Sequence, residues 1–382
     1  MASDTREYDF IVIGAGIAGA SVAAELAASA RVLLLEMERQ PGYHTTGRSA
    51  AIFATTYGPE PIRALTRASE AFFRESPAGF CDQPMFSPRA TLFVARENQT
   101  RTVETMMQDL CDDPSVERLD AHAVRNLQPM LRHGYAAGGI FDPKGQDIDV
   151  HGLHHGYLSM LRRAGGGLIC NAAVTGLRRQ GKVWQVKAGG QGYQAAVVVN
   201  AAGAWADQIG AMAGAETIGL VPMRRTALMV AAPAGLDMEG MPLTVDIDEQ
   251  FYLKPDAGRL LISPANTDAD VPSDVQPDEL DVAICIDRIE KAFDLNIARI
   301  ENKWAGLRSF VGDGVPVVGF SAQVDGFLWL AGQGGYGIQS APALSRFAAA
   351  IALGAPLPQD VVEQGLRPGD LAPDRAGIIG AG

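Results

Sequence analysis

The chain opens on an apolar run, Phe10-Ile11-Val12-Ile13, which breaks at Gly14-Ala15-Gly16-Ile17-Ala18-Gly19 and resumes in Arg31-Val32-Leu33-Leu34-Leu35 before stopping at Glu36. Short continuous apolar runs predict strands buried on both faces, and the alanine-rich stretch from Gly16 to Ala30 between them predicts a helix. In that strand–helix–strand unit, Gly14 permits the tight turn, Gly16 lets backbone N–H groups approach a pyrophosphate, and Gly19 lets the helix pack closely on the sheet. The helix N-terminus holds the phosphates. Glu36 can accept hydrogen bonds from both ribose hydroxyls and would repel a 2′-phosphate, which argues against NADP. The front of the chain therefore reads as a dinucleotide-binding unit.

Beyond it the pattern alternates between two lobes. The loop Pro41 to Ser49 is followed by a helical stretch, Pro59 to Glu75, and a short alternating strand, Thr91 to Ala95, that lead into the second lobe. Asp149 caps a helix running to Arg163, and Gly167 to Val186 with Tyr193 to Asn200 read as strands joined by glycine turns. The run ending at Asn200 passes through Ala201-Ala202-Gly203-Ala204-Trp205 into another helix. From Leu220 to Pro264 come strands, Thr226 to Val230 and Gln250 to Lys254 among them, with Pro255 to Gly258 as a turn. These make a sheet that walls a pocket, and a helix from Pro277 to Leu295 covers its back. Phe327 to Ala331 then runs into Gly332-Gln333-Gly334-Gly335-Tyr336-Gly337 and a closing helix, Ile338 to Leu353. The expected fold class is α/β (α+β): a discontinuous Rossmann-like domain of residues 1–85, 146–215 and 300–382, and a substrate domain of residues 86–145 and 216–299 on a mixed, largely antiparallel β-sheet.

Length and charge narrow the partners. At 382 residues, 47% hydrophobic and 20% charged, the chain is long enough for two lobes with ample core. Its 32 basic against 44 acidic side chains give a net charge of −12, which disfavours a nucleic-acid partner. Cys81, Cys111, Cys170 and Cys285 show neither metal-ligand nor redox-motif spacing, so a reduced, cytoplasmic protein is expected. Met1 to Asp9 is polar and does not read as a signal peptide, and no later apolar run is long enough to span a membrane. Peripheral association with the inner membrane stays open. His151, His154 and His155 have metal-compatible spacing but no companion ligand, so a solvated helix face is expected and no metal.

Glycine-rich turns at three distant places are more than a nicotinamide dinucleotide needs, and a flavin accounts for all three. Its adenosine diphosphate would lie on Gly14 to Gly19, its ribityl chain beside Thr45 to Ala51, and its ring against Gly332 to Ile338. The last helix N-terminus would stabilise negative charge at the ring. Six segments carry a resemblance: Gly14 to Ala20, Pro41 to Ala51, Val199 to Trp205, Phe251 to Gly258, Trp304 to Phe310 and Gly332 to Gln339. Spread in order over nearly the whole chain, they make it similar to the D-amino-acid oxidase superfamily of flavoproteins, and within it to bacterial FAD-dependent D-arginine dehydrogenase and D-amino-acid dehydrogenases.

The resemblance implies noncovalent FAD, and no cysteine stands near Thr45 to Ala51 or Gly332 to Tyr336 to form a thioether. It places Gly14, Gly16, Ala18, Gly19, Glu36 and Met37 at the dinucleotide end. His44, Thr45, Thr46, Gly47, Arg48, Ser49, Ala50 and Ala51 follow in the second loop. Val174, Ala202, Gly203, Trp205 and Gly306 fill in the middle, and Gly332, Gln333, Gly334, Gly335, Tyr336, Gly337 and Ile338 close the site. For the substrate it implies a carboxylate clamp of Arg225, Arg308 and Tyr252, with Tyr57 near the amine or the entrance and the Gly335 carbonyl accepting from the amine. Side chains alternate on a strand, so only one of Arg224 and Arg225 can face the pocket. Ile52 stands where the D-arginine dehydrogenase has a histidine, and Thr91 where it has the glutamate that binds the guanidinium. The implied activity is oxidative deamination of D-amino acids to 2-oxo acids and ammonia, by hydride transfer from Cα to flavin N5. Neutral or apolar side chains are expected to be favoured over D-arginine, with a quinone or oxygen as electron acceptor. A flavin enzyme of 2-hydroxy acids or N-alkyl amino acids, and a flavin-binding subunit without its own catalysis, are the alternatives.

Overall fold

The computed structural model describes residues 7–379; Met1 to Arg6, which begin the segment read above as no signal peptide, and residues 380–382 lie outside them. The first strand, Glu7–Ile13, sits between Val32–Leu35 and Gln191–Asn200, parallel to both. Phe327–Ala331 extends this parallel set beside residues 198–200, and Val174–Gln180 with Val183–Ala188 adds an antiparallel flank, in an eight-stranded sheet. Alternation along these strands sends Val12 and Leu34 to one face and Ile11, Ile13 and Leu33 to the other. On the first face lie the helices Ile17–Ala27, Glu60–Arg74, Val150–Arg163 and Gly337–Leu353; on the second lie Trp184, Phe327 and Trp329. Burial on both faces is why the runs carry no polar positions.

A nine-stranded sheet forms the second layer. Near one end of it lies Val221–Ala231, antiparallel to Arg259–Ser263 on one edge and to Ile300–Phe310 on the other. Tyr252–Asp256, Leu243–Asp246, Thr91–Ala95, Gly138–Asp142 and Glu117–Asp120 continue it, and only the Leu243–Asp246 pairing with Thr91–Ala95 is parallel. The sheet is thus mixed and largely antiparallel, and the whole is the expected α/β arrangement. The helix Glu279–Ala292 covers its back through Val282, Cys285 and Ile289 against Leu228, Leu253 and Ile262.

Several details differ from expectation. The helix expected over Pro59 to Glu75 packs on the closing helix, with Ala343 N–H donating to Ser69 Oγ at 3.0 Å, so it belongs to the first layer rather than leading out of it. Thr91–Ala95 is buried throughout rather than alternating, because Leu92 and Val94 enter one apolar cluster while Phe93 and Ala95 meet Val103 in another. Pro255 and Asp256 remain in their strand; the turn is Ala257-Gly258, both left-handed at φ 47° and 78°, the two-residue hairpin geometry. Ile300–Phe310 pairs within the nine-stranded sheet, so the boundary drawn at residue 300 falls before a strand of the second layer.

Candidate active site

A cavity of about 400 Å³ runs between the two sheets, and a smaller one of about 60 Å³ adjoins it; Ala50, Arg225, Tyr252 and Arg308 line both. The large cavity begins at the first glycine turn. Gly14 has φ 98°, and a Cβ there would stand 2.5 Å from the Ala201 carbonyl oxygen; a Cβ on Gly19 would stand 1.8 Å from the Gly14 oxygen. Gly14, Gly16 and Ala18 line the cavity, while Gly19 lies one layer behind as the contact between helix and strand. Glu36 lines it too. One of its oxygens accepts from Ala15 N–H at 2.7 Å and the other from Glu38 N–H at 2.9 Å, leaving lone pairs on both. Burial pushes its carboxyl above the ordinary value, against the pull of those two N–H groups.

The second loop is tied to its surroundings by its own side chains. Thr46 Oγ1 accepts from Ile17 N–H at 2.9 Å, and Thr45 Oγ1 donates to the Leu307 carbonyl at 2.7 Å. Arg48 donates to the Ala305 carbonyl at 2.8 Å and pairs with Asp274, which makes it a brace to the strand Ile300–Phe310 as well as a cavity wall. Met37, His44, Ser49, Val174, Ala202, Gly203, Trp205 and Gly306 line the cavity with them, His44 held by Glu38 at 2.9 Å. Gly47 and Ala51 do not: Gly47 is pressed against the Gly42 carbonyl, and Ala51 turns the chain at φ 53°. At the third turn Gln333, Gly334, Gly335, Gly337 and Ile338 line the cavity. Gly332 supplies the left-handed turn at φ 73°, and Tyr336 stands behind, its ring 4.9 Å from that of Tyr57.

The residues expected to hold a substrate meet where the cavities join. Arg225, 8% exposed, faces the cavities, whereas Arg224 turns to the opposite side and is held by Asp270 at 2.8 Å and Asp281 at 2.9 Å. Arg308 Nη1 donates to the Tyr57 hydroxyl at 3.3 Å and lies so close to Gly335 that a Cβ there would stand 2.7 Å away. Neither Arg225 nor Arg308 is hydrogen-bonded to a carboxylate among the described residues; Glu249 approaches Arg225 only to 3.6 Å. Burial and the neighbouring Arg308 push the Arg225 guanidinium below its ordinary value. Two cations so placed call for an anion. The smaller cavity is walled by Ile52, Ala54, Phe93, Leu243, Val245 and Ala265, with Thr91 and Tyr57 also in its lining.

Glu249, Lys254, Gln208, Met212 and Ser309 were not anticipated as lining residues. Gln208 and Met212 are four apart on the helix Ala206–Ala213, a spacing that shares one face and could have been read. Glu249 owes its place to a left-handed turn, φ 53°, for which no apolar pattern gives a sign. The histidine expectation needs correcting. His154 is 4% exposed, and its Nε2 donates to the Ala15 carbonyl at 2.9 Å, so this ring braces the first glycine turn instead of facing solvent.

A flavin dinucleotide fits these walls. Eight buried side-chain atoms among the described residues have no hydrogen-bond partner, and four of them, Thr91 Oγ1, Arg225 Nε, Ser309 Oγ and Gln333 Nε2, belong to residues lining the two cavities. Buried polar groups are ordinarily paired, so orphans gathered in one place mark where a polar ligand completes the structure.

The pattern of the DAO family, FAD dependent oxidoreductase, matches residues 9–351. L-2-hydroxyglutarate dehydrogenase of Escherichia coli (strain K12) is 28% identical over 225 residues, covering 55% of this chain and 50% of that protein, so the chain spans about half the length of this curated relative. Glycine oxidase of Bacillus licheniformis is 24% identical over 368 residues, 94% of this chain and 96% of that one. In fold, the chain is similar to L-alpha-glycerophosphate oxidase from Mycoplasma pneumoniae with FAD bound, at TM-score 0.83 and 17% identity over 91% of this chain and 95% of that one. These likenesses support the broad resemblance and not its finer part, a D-arginine dehydrogenase. The chain belongs to the DAO family of FAD-dependent oxidoreductases.

Proposed function

We propose that this protein oxidises D-amino acids with neutral or apolar side chains to 2-oxo acids and ammonia. The observation that carries the reading is the pair of guanidiniums, Arg225 and Arg308, at the junction of a cofactor-sized cavity and a small apolar one. Bound FAD supplies the hydride acceptor. Arg225, Arg308 and Tyr252 fix the substrate carboxylate, and that anchor sets the direction of Cα–H; such positioning accounts for much of the rate. The amine reacts unprotonated, with the Gly335 carbonyl as its acceptor, and the side chain enters the smaller cavity. Glu249 is the single acidic residue lining that cavity among those described, and it already faces Arg225. Lys254, also in the lining, is satisfied by Asp147 and the Ala50 carbonyl, each at 2.9 Å. A guanidinium entering here would have to share Glu249 with Arg225, whereas a neutral chain finds apolar walls. The D configuration rests on the resemblance.

An α-hydroxy acid is the second reading, favoured by the L-2-hydroxyglutarate dehydrogenase relative and by a clamp that reads only the carboxylate. Anaerobic mixing with D-Met, D-Leu, D-Phe, D-Arg and matched 2-hydroxy acids, followed through the visible flavin band, tests both. Bleaching by the neutral D-amino acids with the largest specificity constants supports the proposal. A D-Arg specificity constant above the rest, or bleaching by hydroxy acids alone, contradicts it. Reoxidation in air against reoxidation by a quinone then identifies the acceptor.

A further inference from the structure

Two of the orphaned atoms belong to residues with no role in holding the substrate. Ser309 follows Arg308 on the strand Ile300–Phe310; it is 7% exposed, lines the large cavity, and its Oγ has no partner. Gln333 lies in the third glycine turn between Gly332 and Gly334, both left-handed, and its Nε2 is buried without a partner in the same cavity wall. Gly334 N–H donates to the Ser309 carbonyl at 2.9 Å, so the two segments form one continuous wall. The helix Gly337–Leu353 starts four residues after Gln333 and turns its N-terminus to the same region.

An amide nitrogen can only donate, and a serine hydroxyl can donate or accept. The ligand surface that completes this wall therefore presents electronegative atoms to it, and the flavin ring is edged by carbonyl oxygens and unprotonated ring nitrogens. We infer that Gln333 and Ser309 hydrogen-bond the flavin ring and set its reduction potential. Reduction places negative charge on that edge, and a donor aimed at developing charge, in a site with little water, stabilises the reduced ring more than the oxidised one. The helix N-terminus acts in the same sense. Together they make the ring easier to reduce.

The inference rests on FAD as cofactor and not on the identity of the substrate, so its test uses no substrate. Holoprotein is reduced with dithionite, which delivers two electrons to the flavin, in the presence of a reference dye, and the midpoint potential is read for wild type, Gln333→Leu and Ser309→Ala. The apoproteins are also titrated with FAD and melted. Gln333→Leu is expected to have a lower midpoint potential, about tenfold weaker FAD binding and a shifted visible band, and Ser309→Ala a smaller shift of the same sign. Unchanged potentials in variants that hold FAD overturn the inference, as does weaker binding with no change in potential. If Gln333→Leu does not load FAD, Ser309→Ala, which removes a single atom, decides by the same two criteria.

Discussion

Arg225 and Arg224 are neighbours with opposite fates. One closes on the cavity and the other on three acids, Asp268, Asp270 and Asp281, and strand alternation made that division legible from sequence while leaving open which was which. Removing a charge that holds a buried partner costs about 2–5 kcal/mol. Arg308→Met should therefore lower kcat/KM for the preferred substrate by roughly a hundredfold or more while FAD remains bound, as steady-state kinetics and the visible spectrum will show. Thr91 makes the converse case. It is 2% exposed with an orphaned hydroxyl in an apolar pocket, and Thr91→Glu would put a carboxylate where a cationic side chain ends. The ratio of specificity constants for D-Arg over D-Leu should then rise about tenfold or more. Glu249 could not be foreseen in this pocket, because a single left-handed residue placed it there.

The strand–turn–helix at the front of the chain was readable almost residue by residue, since each of its glycines answers a steric demand. Gly19→Ala would drive a methyl group into the Gly14 carbonyl, 1.8 Å away. FAD affinity should fall at least tenfold, with the apoprotein destabilised by about 1–3 kcal/mol in urea unfolding; wild-type values for both would contradict this reading of the turn. The helix Val150–Arg163 was placed correctly by its Asp149 cap, which accepts from Gly152 N–H at 2.8 Å. Its inward face was misjudged: His154 lies among Leu153, Tyr157, Leu158 and Leu161, and a polar residue there is buried because Ala15 offers it an acceptor from another segment. Contacts between distant segments are what local periodicity cannot supply.

Three turns far apart in sequence converge on one cavity because the strands they follow, Glu7–Ile13, Val32–Leu35 and Phe327–Ala331, run parallel in one sheet, and the C-terminal segment helps to hold that sheet. Arg375, 9% exposed at its side chain, forks onto both oxygens of Asp313 at 2.7 and 2.9 Å. Burial works against the Asp313 charge, but Arg375 and the Val315 N–H outweigh it and hold the carboxyl below its ordinary value. A carboxyl lowered on folding contributes stability that is complete above its unfolded value and is lost as the pH falls through its folded one. Asp313→Asn should thus cost about 1 kcal/mol at neutral pH, the carboxylate side of the pair being partly open to solvent, with the difference from wild type shrinking below about pH 4 in urea unfolding. A difference that grew in acid would reverse the sign argued here. The most direct test of the whole arrangement is a single anaerobic turnover with D-Met, in which flavin bleaching and released ammonia are measured on the same sample. One ammonia per flavin reduced is the predicted result, and bleaching without ammonia, or no bleaching by any D-amino acid, would contradict the account.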